Sequence, residues 1–243
     1  MIHTVLFDLD GTLVQHGHTL LPPILKDWGY PRPLNAIDAV VHENIHWIYA
    51  SVNQNGGQWT PQINLEFYAR VLTALDVYDA QELRARELVD YFASQPVPPL
   101  FEDVPPLLEQ MRTHDWRLGI ITQRSRMGAE KFLQAHNMSD LFQTIVAGDD
   151  GHGRKPDVQP FQAALRQLQS DPQHAVFIGD RIDDDCEGAM AAGLRTAFLI
   201  DRAGRHAVEV AERTEYVHLA ELVDLLEHLP EQPFSGGSYT GVP

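Results

Sequence analysis

Cysteine is almost missing from this 243-residue chain, with Cys186 the only one. A single thiol allows no intramolecular disulfide and no cysteine-based zinc cluster, which fits a reducing compartment. Cys186 itself reads as a small buried packing residue. Positive charge is also scarce: Lys and Arg number 18 against 34 Asp and Glu, a formal net charge of -16, and no cluster of Lys or Arg stands out. That excludes indiscriminate binding to DNA, RNA or an anionic membrane, because such contacts are built on basic clusters. It also sets a condition, since a phosphate ligand must be drawn in by a metal or a few placed cations against the average field. A long apolar run is missing too, as is a basic leader with a cleavage site, so the sequence predicts a soluble, cytoplasmic protein. No internal repeat is visible, and only Pro233 to Pro243, rich in Gly, Ser and Pro, reads as a mobile tail.

What is present is 44% apolar residues, enough to bury a large core. Ile2 to Asp8 reads as a buried strand that meets the sharp turn Asp-Gly-Thr. From about Leu20 to Ser94 the spacing turns helical. Ile37, Val40, Val41, Ile45 and Ile48 recur at helical intervals, Thr60-Pro61 supplies an N-cap and an N1 proline, and Asp79 and Glu82 have capping-box spacing. Pro96-Val97-Pro98-Pro99 marks a boundary. Beyond it helix and strand patterns alternate, with strands Leu118 to Thr122, Thr144 to Ala147, Ala175 to Gly179 and Thr196 to Ile200, and a short one near Tyr216. Helices are expected near Val104 to His114, Met127 to Ala135, Asp157 to Leu168, Asp184 to Ala192 and Leu219 to Leu229. Such βα units predict an α/β fold, a mainly parallel sheet that binds ligands at the carboxyl ends of its strands.

Polar groups collect at those strand ends. Asp8 and Asp10 are two apart on an extended chain and so face one side, while Gly11 permits the turn that exposes them. Two adjacent carboxylates repel each other and a phosphate dianion. A hard dication with oxygen ligands, usually magnesium, removes both difficulties. Further on, Thr122 ends a strand in a hydroxyl, Lys155-Pro156-Asp157 opens a helix, and Gly179-Asp180 is followed by Asp183, Asp184 and Asp185. Pro156 biases Lys155 toward an extended conformation and Asp157 can cap the helix.

Phe7-Asp8-Leu9-Asp10-Gly11-Thr12, with the three later segments in order, resembles the haloacid dehalogenase superfamily, specifically its phosphatases with an α-helical cap between the first and second motifs. The resemblance implies a Rossmann-like core from residues 1–16 and 97–232 with a helical cap at 17–96. It implies that Asp8 attacks phosphorus to form an aspartyl-phosphate, that Asp10 serves as general acid and then base, that Thr122 and Gln123 bind the phosphate, and that Lys155 pairs with Asp8 and the phosphate. Magnesium would be held by Asp8, Asp180 and the main-chain carbonyl of Asp10, supported by Asp184 or Asp185, the Asp-x-x-Gly-Ala run favouring Asp185. Gln123 departs from the Asn common after the hydroxyl residue, and Arg181 stands where Ser or Thr is common. The dehalogenase branch lacks the second Asp, so Asp10 argues for phosphate chemistry. The implied partner is a small phosphorylated metabolite, and the implied activity a phosphomonoester hydrolase. A sugar phosphomutase and a non-catalytic relative stay as alternatives.

Other signals carry less. His42-Glu43-Asn44-Ile45-His46 fits a two-histidine zinc pattern, but no third ligand is identifiable. His16 and His18 read as loop residues with a place at the substrate entrance as the alternative, Arg124 as a substrate contact or a solvated loop residue, and Trp47, Trp59, Phe67 and Tyr68 as packing of the helical block. The oligomeric state is not written in the sequence.

Overall fold

The computed structural model describes residues 2–55, 60–95, 97–202 and 215–229, excluding the side chains of His46 and Asn53. The expectations for Trp59, Pro96 and the tail beyond 232 fall outside those residues. A six-stranded sheet forms the centre, from β1 (Thr4–Phe7), β2 (Arg117–Ile121), β3 (Thr144–Val146), β4 (Ala175–Gly179), β5 (Thr196–Ile200) and β6 (Val217–Leu219). Its order is β3-β2-β1-β4-β5-β6, and every pairing is parallel. β1 is therefore central, with β2 on one side and β4 on the other, and the strand order reverses beside it. A crevice opens at the carboxyl ends of strands at such a point.

Sequence and burial agree along β1. All four of its residues are buried, Val5 and Phe7 packing into the core on one face and Leu6 into the core on the other. That double-sided burial is why the strand reads as a continuous apolar run. Helices α5 (Val104–Arg112), α6 (Arg126–Ala135), α7 (Val158–Gln167) and α8 (Gly188–Ala191) belong to the βα half of the chain, with a short helix Leu225–His228 near its end. Gly119 in β2 is where a side chain is not tolerated: a Cβ there would lie 2.7 Å from Thr144 and 2.8 Å from Leu6.

Between β1 and β2 the chain forms a helical insert of α1 (Leu21–Asp27), α2 (Leu34–Gln54), α3 (Pro61–Ala74) and α4 (Gln81–Ser94). It has an apolar core of its own, including Leu25, Ile37, Val71, Leu72, Val77 and Leu88. The fold is thus α/β with an inserted helical unit, as the pattern implied. Thr60 caps α3 as expected, its hydroxyl accepting from the Ile63 N–H at 3.2 Å. The capping box at Asp79 and Glu82 does not form. Ala80 is the N-cap of α4, in the left-handed region (φ 48°), and Asp79 turns instead to Arg84 at 2.9 Å and to the Tyr30 hydroxyl. Asp157 likewise gives α7 no side-chain cap. Its carboxylate accepts from the Arg154 N–H at 3.5 Å, and an ion-pairing or loop-closing alternative has displaced the helix cap in both places. The expected helix at Asp184 to Ala192 begins as a π-helical turn, Ile182–Glu187, before α8. The long final helix shortens to Leu225–His228 after a 3-10 turn.

Candidate active site

The amide of Asp8 donates to the Ile178 carbonyl at 2.8 Å, carrying the parallel ladder one residue past β1. Its side chain therefore leaves the sheet at the mouth of the crevice. Gly11 (φ +89°) then turns the chain back, its N–H donating to the Val14 carbonyl at 2.6 Å, and Thr12 donates its hydroxyl to Asp8 Oδ2 at 3.3 Å. A Cβ on Gly11 would collide with the Asp180 carboxylate and the His16 ring. Gly11→Ala thus adds left-handed strain to a collision. We expect a loss of roughly 1–3 kcal/mol in urea unfolding.

Asp180 follows β4, and the π-helical turn after it brings Asp185 back over the strand end. Asp185 Oδ2 accepts the N–H groups of Asp180 and Arg181, each at 3.1 Å. Gly179 makes room, because a Cβ there would run into the Asp185 carboxylate. A π-helical insertion re-aims side chains in just this manner and recurs at functional sites. One oxygen from each of Asp8, Asp180 and Asp185 lies within 4.8 Å of the others, and all three side chains are buried. Asp184 lines the same cavity but stands outside that group, 3.5 Å from Arg181 Nε. Of the two acids left open by the sequence, Asp185 is the one brought to Asp8 and Asp180.

Lys155, only 6% exposed, sends Nζ to Asp8 Oδ1 at 2.6 Å and to Asp185 Oδ1 at 2.5 Å. Burial alone would strip its proton, but the Asp185 and Asp8 carboxylates outweigh that and push its pKa up, so it is a fixed cation. The acids move the other way. Burial raises the Asp8 carboxyl to about 6, Lys155 pulling it back and Asp180 adding to the rise. Burial pushes Asp185 up in the same way. Asp10 differs again: burial would raise it, yet Arg124 holds it below the usual carboxylate range. Arg124 Nε and Nη2 reach its two oxygens at 2.6 and 2.5 Å, a two-pronged grip.

The remaining site residues are placed less directly than expected. Thr122 is buried at the end of β2, its N–H on the Val146 carbonyl at 2.9 Å, and its hydroxyl oxygen accepts from the Arg124 N–H at 3.2 Å. It is not among the residues lining the cavity above the acids. Gln123 lines that cavity, but its side-chain amide donates to the Lys155 carbonyl at 3.0 Å and so anchors the lysine loop. The Lys155–Pro156 peptide is cis.

A cavity of about 240 Å³ lies between these acids and the helical insert. His16 reaches Asp180 Oδ2 at 3.0 Å, His18 reaches Asp38 at 2.9 Å, and the two rings stack at 4.9 Å. Arg181 donates to His42 Nε2 at 2.6 Å, closer than the 3.4 Å between His42 and Asp183. His42 is thereby a contact between insert and core, and among the described residues no metal-capable group contains it. Arg154 stacks on Tyr49 at 4.0 Å, its guanidinium nitrogens buried without a hydrogen bond. Sequence reasoning left Arg124, directly behind the Thr122 motif, open as a substrate contact and His16 open as a group at the substrate entrance, weighed His42 only as a zinc ligand, and had no signal for Tyr49.

Residues 62–199 match the profile of the haloacid dehalogenase-like hydrolase family. Pyrophosphatase PpaX of Bacillus pumilus (strain SAFR-032) is 29% identical over 198 residues, covering 81% of this chain and 82% of that protein. Among solved structures, the HAD-hydrolase YfnB of Bacillus subtilis, bound to magnesium, superposes with a TM-score of 0.66 at 19% identity, covering 93% of this chain and 97% of its own. The 2-haloacid dehalogenase of Pseudomonas syringae pv. Tomato DC3000 gives 0.56 at 26% identity, with coverage of 93% and 97%. A profile spanning more than half of the chain, on a fold whose acids meet at the strand ends, settles the lineage: this protein belongs to the haloacid dehalogenase-like hydrolases.

Proposed function

We propose that this hydrolase cleaves a small phosphorylated metabolite with magnesium, through an aspartyl-phosphate formed on Asp8. The observation that carries the reading is the buried cluster itself, with Asp8 against Lys155 and within 4.8 Å of Asp180 and Asp185. Three hard carboxylate donors in a dry pocket fit a divalent cation. Burial and mutual repulsion push Asp8 and Asp185 up when only Lys155 opposes them, a penalty that a dication removes. Asp8, Asp180 and Asp185 would hold magnesium, with the Asp10 carbonyl as the resemblance implies. Bound there, magnesium would neutralise the phosphate and the attacking carboxylate together.

The chain's own groups then divide the work. An Asp8 oxygen attacks phosphorus, forming the O–P bond as the bond to the leaving oxygen breaks. Asp10, which Arg124 holds ionised in the substrate-free structure, first takes up a proton as substrate binds, gives it to that oxygen and later takes one from water, and the water oxygen displaces Asp8 from phosphorus. Lys155 keeps Asp8 ionised and oriented and cancels charge on the transferring group. Thr122 acts through the Arg124 main chain, and Gln123 by fixing the Lys155 carbonyl. In this reading the insert, residues 17–96, is a cap that closes over the core formed by 1–16 and 97–232 and excludes water. The second Asp, Asp10, favours this chemistry over that named for the dehalogenase relative.

Arg124 positions Asp10. Arg124→Ala should lower kcat by about 10-fold or more with little change in KM, and Arg124→Lys should recover part of the loss, in steady-state phosphate release. The metal is tested by thermal unfolding. Because Asp8 and Asp185 are raised in the folded, metal-free protein, the stability that these two groups contribute is greatest where both carry protons. It falls as pH rises from about 4, the unfolded carboxylate value, through the folded ones. Magnesium removes that loss, so the Tm gain on adding it should be larger at pH 8 than at pH 5; an equal gain at both would contradict the site. A phosphate-release screen over phosphorylated metabolites with magnesium, including pyrophosphate, tests the activity. Product isomerisation without phosphate release would turn the reading into a phosphomutase.

A further inference from the structure

We infer that the substrate's leaving group is an uncharged alcohol bearing an apolar ring, not a carboxylate or a second phosphate. The inference rests on the hydrolase reading above and concerns the part of the cavity wall that the insert supplies. To that wall the insert gives Leu21, Val41, Ile45, Tyr49, Phe67 and Tyr68, together with His18, Asp38 and His42. An anionic leaving group would be stripped of water there and would need a cation to replace the lost solvation.

Among the described residues the insert places no Lys or Arg in the cavity wall. The cations that do line it, Lys155 and Arg181, belong to the core and are engaged. Lys155 is divided between Asp8 and Asp185, and Arg181 donates to His42 and lies 3.5 Å from both Asp183 and Asp184. His16 and His18 each face a carboxylate, and His42 lies between Arg181 and Asp183. The acid of the insert in the wall, Asp38, is paired with His18 at 2.9 Å, and that pair brings no net positive charge to a further anion. What remains is a surface of aliphatic and aromatic groups suited to the face of a ring, where stacking adds to simple burial. Burial pushes the phenols of Tyr49 and Tyr68 up, so both stay neutral. The Tyr68 hydroxyl makes no hydrogen bond among the described residues, leaving it available to one polar atom on the ring. Specificity of this kind comes from withholding charge compensation as much as from contact.

The test uses the full chain with magnesium and measures kcat/KM for phosphate release from benzyl phosphate, glycerol phosphate, phosphoglycolate and pyrophosphate. We expect benzyl phosphate to exceed phosphoglycolate and pyrophosphate by about 100-fold and glycerol phosphate by about 10-fold. Ile45→Lys, which adds the missing cation, should narrow the benzyl-to-phosphoglycolate ratio at least about 10-fold. Should that variant not fold by circular dichroism, Phe67→Ala serves in its place and should raise KM for benzyl phosphate while leaving that for phosphoglycolate unchanged. Phosphoglycolate, pyrophosphate or glycerol phosphate matching or outrunning the benzyl ester would overturn the inference and leave the hydrolase reading standing. Absence of phosphate release from all four would overturn the hydrolase reading itself.

Discussion

Asp8→Asn should reduce phosphate release by about 10⁴-fold or more, the scale on which removal of a nucleophile acts, while leaving the urea unfolding midpoint unchanged or higher. The two halves of that expectation have separate causes. An amide cannot attack phosphorus and leave again as a carboxylate, so the covalent route closes. Yet the carboxylate is a strained resident of the folded state, since burial and the charges of Asp180 and Asp10 push its pKa up against the pull of Lys155. Removing its charge relieves that repulsion, and Lys155 keeps Asp185 as a partner at 2.5 Å. Turnover near the parent rate would remove Asp8 from the nucleophile's role. A folded but inactive variant is the outcome expected from the proposed mechanism.

Lys155→Met should fail in the opposite manner, losing both activity and stability. The lysine is the cation that Asp8 and Asp185 share, and it is almost wholly buried with them. Breaking a buried pair by removing one partner costs about 3–5 kcal/mol, because the remaining charge is stranded. Here two carboxylates would be stranded against each other. We expect destabilisation on that order in urea at pH 7 without magnesium, and partial recovery of the midpoint when magnesium is added. Activity should fall by at least about 10³-fold, since in the proposed mechanism this lysine opposes charge on the transferring phosphoryl. A variant with parent-like stability in chelator would show that the acids are held by something other than this lysine.

The contrast between the two substitutions also separates what was legible beforehand. The strand that delivers Asp8 announces itself by its apolar run and by the Asp-Gly-Thr that stops it, and β4 does the same before Asp180. Local pattern suffices there, because a central parallel strand must be apolar on both faces and its end must be polar. The α3 N-cap at Thr60 was legible for the same reason, being a matter of three neighbouring residues. The caps expected at Asp79 and Asp157 were not, because each acid had a second use that spacing does not reveal. Arg124 looked like a solvated loop residue, and only coordinates show it gripping Asp10 across 114 positions of chain.

The sequence by itself determined the α/β class, the helical insert between the first strand and the second, and the identity of the acids and the lysine at the strand ends. Each follows from side-chain periodicity, strand-end chemistry or the order of short motifs, all of which are local properties of the chain. Tertiary structure alone decided that Asp185 rather than Asp184 meets Asp8 and Asp180, that Asp10 is answered by Arg124, and that His16 and His42 come to the same cavity. Those outcomes depend on where a π-helical turn aims consecutive carboxylates and on which residues of the insert descend onto the core. Contacts between residues far apart in the chain are fixed by packing, and no local pattern encodes their partners.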